Sequence, residues 1–160
     1  MKTLLMVDDD PNDRLLAETA CAMARVSFLL KTVGSGVEAL RYLGGEGKFA
    51  DRVEHPFPEL IFLDVKMPEI DGFLVLRWAR SHPATHKTPV AMYSASLAPK
   101  DIAKAYADGA NYYILKPSDL ARLLDIFRAA DKRLAADPGN DDALAQFSTP
   151  AERRSLSKRT

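Results

Sequence analysis

Asp8, Asp9, Asp64, Ser94 and Lys116 are the residues whose types and positions could do chemistry together. Each follows a short apolar run: TLLMV before Asp8, LIFL before Asp64, VAMY before Ser94 and NYYIL before Lys116. Apolar runs this short, bounded by turn residues, read as strands buried on both faces. In an open parallel sheet, ligands bind outside the carboxyl ends of the strands. Three carboxylates gathered there repel, so at neutral pH they raise a pKa or take up a hard cation. Magnesium suits such a set, because it takes oxygen ligands, keeps several waters and accepts carboxylates together with a phosphate. Lys116 adds a positive point for a phosphoryl oxygen, and Ser94 adds a hydroxyl donor. Phosphoryl transfer asks for little beyond positioning and charge neutralisation. An ionised Asp64 beside the cation can then attack phosphorus itself and form an acyl phosphate.

Taken singly, each piece has an ordinary explanation. An acidic triplet before a helix is commonly a cap, Ser-Ala after a strand a turn, and Lys-Pro a loop. Their convergence on the ends of successive strands is what points to a site.

The elements that must position them follow in chain order. Thr3 to Val7 is a strand, and Asp10 followed by Pro11 starts a helix that runs to about Arg25. Leu15, Leu16, Thr19, Ala20 and Met23 form its apolar stripe. Phe28 to Val33 is a second strand, and Gly34-Ser35-Gly36 turns into a helix from Val37 to about Leu43. Gly44 to Pro58, with three glycines and two prolines, is an irregular segment long enough to suggest a specific contact. The third strand, Glu59 to Leu63, ends at Asp64, and Asp71 caps a helix from Gly72 to about Ser81. Val90 to Tyr93, Pro99 to Ala107, Asn111 to Leu115 and a helix capped by Ser118 or Asp119 and reaching about Leu134 complete five βα repeats. Right-handed crossovers force a mostly parallel sheet with helices on both faces, and a doubly wound α/β fold, a (βα)5 five-stranded sheet in the order 2-1-3-4-5, fits that pattern.

The expected organisation is a domain over residues 1–135 and a C-terminal tail, 136–160, that is a short helix or disordered. Asp137-Pro138-Gly139-Asn140 reads as a turn, Asp141 to Phe147 as two possible helical turns, and the cations among the last residues as a solvated end. The chain has 160 residues, 22 basic and 22 acidic, so its balanced charge gives no footprint for nucleic acid or an anionic membrane surface. The opening residues carry no leader pattern, and no apolar run approaches a bilayer span. The single Cys21 cannot pair internally and reads as a buried thiol in a reducing, cytoplasmic setting.

This set of residues resembles the receiver domain of bacterial two-component response regulators. The match is carried by Asp8-Asp9, by LDVKMPEIDG around Asp64, by Ser94-Ala95 and by Lys116-Pro117, and it covers about residues 1–135. The resemblance implies a flavodoxin-like receiver fold and phosphorylation of Asp64 by a sensor histidine kinase. It implies magnesium on Asp8, Asp9, Asp64 and the backbone carbonyl of Lys66, with Lys116 on the phosphoryl group and a cis bond before Pro117. Ser94 would swing toward the phosphate and Tyr113 would follow it inward, changing the face made by the fourth helix, fifth strand and fifth helix. A homodimer through that face is expected. The long Gly44 to Pro58 segment and HPATHKTP are similar to the stand-alone regulators that partner phytochrome-type kinases.

Two rivals differ in class. One is a small magnesium-dependent phosphatase with Asp8 as nucleophile and Asp10 as acid, which leaves Asp64 and LDVKMPEIDG unexplained. The other is a receiver-like adaptor that takes no phosphate. A dinucleotide-binding unit is unsupported, because the first turn carries Asp8 to Asp10 and no G-x-G-x-x-G. His55, His82 and His86 read as surface loop residues, and Tyr112 and Tyr113 as neighbours pointing to opposite faces. On the third helix, Val75, Leu76 and Ala79 should face the sheet, leaving Leu74 and Trp78 on another side.

Overall fold

The computed structural model describes residues 1–136 and 142–151. Five strands, β1 (Thr3–Val7), β2 (Leu29–Val33), β3 (Leu60–Leu63), β4 (Val90–Ser94) and β5 (Tyr112–Leu115), form one sheet in the order β2-β1-β3-β4-β5. All four pairings are parallel. Helices α1 (Pro11–Ala24), α2 (Gly36–Gly44), α3 (Gly72–Ser81), α4 (Pro99–Ala107) and α5 (Leu120–Ala135) alternate with them. This is the flavodoxin-like order read from the sequence.

Side chains alternate across each strand and so build two cores. Leu5, Val7, Ile61, Leu63, Val90, Met92 and Tyr113 face α2, α3 and α4. Leu4, Met6, Leu60, Phe62, Ala91, Tyr93, Tyr112 and Ile114 face α1 and α5. Tyr112 and Tyr113 thus part to opposite faces, as alternation requires. Local chemistry fixes the helix starts: Asp10, Ser35, Asp71 and Asp119 each accept a hydrogen bond from a backbone N–H in the first turn. Val75, Leu76 and Ala79 are buried on α3, while Leu74 is 40% exposed and Trp78 stacks on His82 at 3.6 Å.

Of the stripe expected on α1, only Ala20 is buried. Leu15, Leu16 and Met23 are 61%, 48% and 53% exposed, and the buried residues are Ala17, Ala20 and Cys21. Helix α1 lies against α5, so small residues face inward and the leucines are turned outward. The size of an apolar side chain misled where closeness of packing decided.

The segment after α2 is folded. Phe49 is buried in a short 3-10 turn, and Arg52 donates to the carbonyls of Tyr42 (2.7 Å), Leu43 (3.0 Å) and His55 (3.2 Å), capping α2 at a distance. Phe57 lies 4.0 Å under the same guanidinium. Arg80 staples α3 to the start of β5, donating to Gly109 O at 3.0 Å, Thr88 O at 2.8 Å and Asn111 Oδ1 at 2.9 Å.

Beyond α5, the described part of the tail is a single 3-10 turn (Ala145–Phe147) where two helical turns were expected. Leu144 is fully buried in the α1–α5 core, and Ser148 forms an antiparallel bridge to Ile114 at the free edge of β5. A covered edge strand is a protected one. The turn read over residues 137–140 and the closing cations lie outside the described residues.

Candidate functional site

The carboxyl ends of β1, β3, β4 and β5 bring the predicted side chains together. Asp8 follows β1 and is wholly buried, Asp9 is exposed beside it, and Asp64 follows β3 at 7% exposure. One oxygen from each lies within 4.8 Å of the others, close enough to share an ion. Asp8 is pinned from three sides: its Oδ1 accepts from Asp10 N at 3.0 Å, its N donates to Val33 O at 3.1 Å, and its carbonyl accepts from Arg14 Nη1 at 2.7 Å. Asp8 Oδ2 is buried and accepts no well-aligned hydrogen bond among the described residues. A buried carboxylate oxygen in that condition is costly unless a charge faces it. The donor set is all oxygen and its two inner members are fixed, so the residues fit a hard divalent ion.

Lys116, at the end of β5, supplies the only positive charge within salt-bridge distance of these carboxylates among the described residues. Its Nζ lies 2.8 Å from Asp8 Oδ2, 2.8 Å from Asp13 Oδ2 and 3.4 Å from Asp64 Oδ2. Burial would push the lysine down, but hydrogen bonds and charge from Asp13, Asp8 and Asp64 outweigh it and hold the ammonium above its usual range. Asp64 goes the other way: burial raises its carboxyl to about 6, Lys116 opposes this and Asp8 adds to it. Its acidity is therefore set by desolvation against one cation.

A close approach seats Asp64. A Cβ on Gly72 would run into the Asp64 carbonyl oxygen, and Gly72 N donates to Val65 O at 3.0 Å. Only a residue without a side chain lets α3 begin this near the strand end. Lys66 follows in the loop, its side chain exposed.

Ser94 is buried at the end of β4, and its Oγ accepts from Ser96 N at 3.1 Å. Ser96 O accepts from Tyr113 Oη at 2.7 Å. Tyr113 is already fully buried, so the inward position expected to follow switching is the position found here. On its backbone side, Tyr113 N donates to Ser148 Oγ at 3.0 Å and Tyr113 O accepts from Thr149 N at 2.7 Å. Tyr106 Oη bonds to Ser148 Oγ at 3.0 Å and donates to Thr149 O at 2.5 Å. Contacts therefore run without a gap from Ser94 to the tail. The cis bond expected before Pro117 is not found, every described peptide bond being trans.

The family model of the response regulator receiver domain matches residues 4–128. The chain belongs to that family. Among solved structures it resembles response regulator RPA3017 in red light signaling of R. palustris, at 32% identity, 82% of this chain, 92% of that one and a TM-score of 0.76. It also resembles the phosphorylated cyanobacterial phytochrome response regulator RcpA, at 32% identity, 84% and 94% coverage and a TM-score of 0.75. A third likeness is to the Mn2+-bound form of response regulator Rcp1 of Synechocystis, at 25% identity, 82% and 93% coverage and a TM-score of 0.72. These neighbours match the phytochrome-associated, stand-alone group named from the long loop. The chain spans 50%, 23% and 13% of the length of the first curated relatives it matches.

Receiver domains of two-component systems bind a divalent metal and are phosphorylated by histidine kinases, and Asp8, Asp9 and Asp64 form an acidic group here that could hold such an ion. The phosphatase alternative finds no support. Asp8, its nucleophile, is sealed from solvent, and the Asp10 carboxylate is engaged in capping α1 through Asn12 N at 2.9 Å. Sequence reasoning missed Asp13. Its signal was available: an acid in the first turn of the helix that Asp10 starts, on the side nearest the strand ends. His55 packs against Tyr42 and Phe49, and His82 Nδ1 and His86 Nδ1 pair with the backbone carbonyls of Trp78 (2.8 Å) and Pro83 (2.9 Å); none of the three belongs to the acidic group.

Among the described residues, no helix is long and apolar enough to cross a membrane.

Proposed function

We propose that this chain is a response regulator that accepts a phosphoryl group on Asp64 from a sensor histidine kinase in a Mg2+-dependent step, and that it switches protein contacts as a result. The observation that carries the reading is the set of three carboxylate oxygens within 4.8 Å, faced by Lys116 at 3.4 Å from Asp64. Asp8, Asp9, Asp64 and the Lys66 carbonyl would hold the ion, which supplies neutralising charge for a phosphoryl group drawing near. Asp64, as the carboxylate, attacks phosphorus. The P–N bond of the phosphohistidine breaks, its electron pair returns to the imidazole, and the new O–P bond makes an acyl phosphate. Lys116 and Ser94 donate to the phosphoryl oxygens.

The change at Ser94 has a physical route outward. Ser94 touches Ser96, Ser96 touches Tyr113, and the Tyr113 backbone holds Ser148 and Thr149. A displacement of Ser94 toward phosphate loosens the first of these contacts and alters the α4–β5–α5 face with the tail seated on it. We place a homodimer on this face, with the tail residues as part of the surface. The kinase is of the phytochrome-like kind and the setting cytoplasmic, with neither nucleic acid nor membrane as partner. Sedimentation showing monomer with and without a phosphate mimic would remove the dimer.

The test is treatment with acetyl phosphate and Mg2+, followed by mapping of the labile modification, with Asp64→Ala as control. Label on Asp64 supports the reading; label on Asp8 restores the phosphatase. Phosphotransfer from a kinase encoded beside the gene then tests the donor. Unchanged partner binding by Asp64→Asn would favour the adaptor.

A further inference from the structure

Lys116 is shared among three carboxylates, and one of them has no part in the group of Asp8, Asp9 and Asp64. Asp13 is not among the groups close enough to share an ion. It makes the hydrogen bond to Lys116 Nζ at 2.8 Å, against 3.4 Å for Asp64. Asp13 is fixed by α1, whose start is set by Asp10 and Pro11, and an acid in the first turn also suits the helix N-terminus. Its side chain is 29% exposed and that of Lys116 15%, so the pair sits at the mouth of the site and is partly dry.

Any metal placed on Asp8, Asp9 and Asp64 takes up two of the lysine's three anions. Asp13 is then the partner that remains. A phosphoryl group arriving on Asp64 must draw the ammonium away from it or share it. We infer that Asp13 is a positioning residue that stations Lys116 beside Asp64 and competes with the phosphoryl group for it. The inference rests on the phosphoacceptor reading of Asp64. Its consequence is a built-in resistance: the carboxylate keeps the lysine charged and close, yet lowers the positive potential offered to an incoming phosphate.

The two charge effects have opposite signs, which separates them from a structural role. In Asp13→Asn, an anion is removed from beside the site while the amide can still accept from Lys116. Affinity for beryllofluoride at saturating Mg2+, read by calorimetry, is expected to rise on the order of threefold to fivefold, the scale for one partly exposed charge. The acetyl phosphate KM falls by a similar factor, with kcat less changed. Mg2+ affinity in the absence of any phosphate mimic falls, because one anion fewer offsets the ammonium that faces Asp8 and Asp64. Asp13→Glu moves all three values back toward wild type. A carboxylate that only braces α1 would weaken both ligands together, and that result overturns the inference. So does an unchanged beryllofluoride affinity in a variant that folds and takes label on Asp64. If wild type takes no label on Asp64 under these conditions, the phosphoacceptor reading fails and the inference with it.

Discussion

Replacing Asp64 with asparagine should stabilise the metal-free protein at neutral pH. Burial lifts the Asp64 carboxyl from 3.8 to about 6, so in the folded state it binds its proton more tightly than in the unfolded chain. A raised pKa contributes stability in full below the unfolded value, and loses it as pH rises through the folded one. Between about pH 4 and pH 6 the native state therefore gives up an advantage, and at pH 7 the ionised carboxylate costs about 3 kcal/mol, an upper figure set by a shift of about two units. By pH 5 the cost falls to about half that, and near pH 4 it is almost gone. The asparagine amide carries no such charge. With a chelator present, Asp64→Asn is expected to melt about 6–12 °C above wild type at pH 7, at about 2–4 °C per kcal/mol for a chain of this size. The gap should close steadily as pH is lowered. Taking the difference between the two proteins cancels the titration of groups remote from Asp64. Saturating Mg2+ should narrow the gap at pH 7, since a cation stabilises the ionised form. A variant less stable than wild type at pH 7, or a gap that does not change with pH, would refute the claim that desolvation outweighs Lys116 at this carboxylate.

Three further outcomes follow from the geometry. Gly72→Ala should lower stability by about 3 kcal/mol or leave no folded protein, because the new methyl meets backbone at Asp64; a denaturant midpoint like wild type would contradict the close approach. Leu144→Ala should cost about 2–4 kcal/mol, and hydrogen exchange at Thr149 N should quicken, since Leu144 is the buried anchor of the tail on the α1–α5 core. No loss of stability there would mean the tail is not seated in solution. Cys21, buried and with burial and Asp131 raising its thiol to about 12, should react with a thiol reagent only on unfolding, so rapid titration of the native protein counts against its place in the core.

The short apolar runs, Pro and Gly at their borders and Asp or Ser ahead of each helix were enough to place five strands and five helices, because capping and alternation act within a few residues. Crossover handedness required a parallel sheet with helices on both faces, the order 2-1-3-4-5 was the doubly wound one that fits five repeats, and the site followed because parallel strands deliver their ends to one edge. Asp8, Asp9, Asp64, Ser94 and Lys116 were legible because each ends a strand. Asp13 was not, since a helical acid reads as a cap until the strand bearing Lys116 is brought beside it, 103 residues away along the chain. The burial of Ala17 in place of Leu15 and Leu16 was likewise fixed by how closely α1 meets α5, a distance no single segment encodes. The same holds for Leu144 and Ser148, whose segment has little pattern of its own and takes its form from the free edge of β5. Local sequence chose the elements and their ends; contact between segments distant in the chain chose which faces were buried, where the lysine charge rests and how acidic Asp64 is.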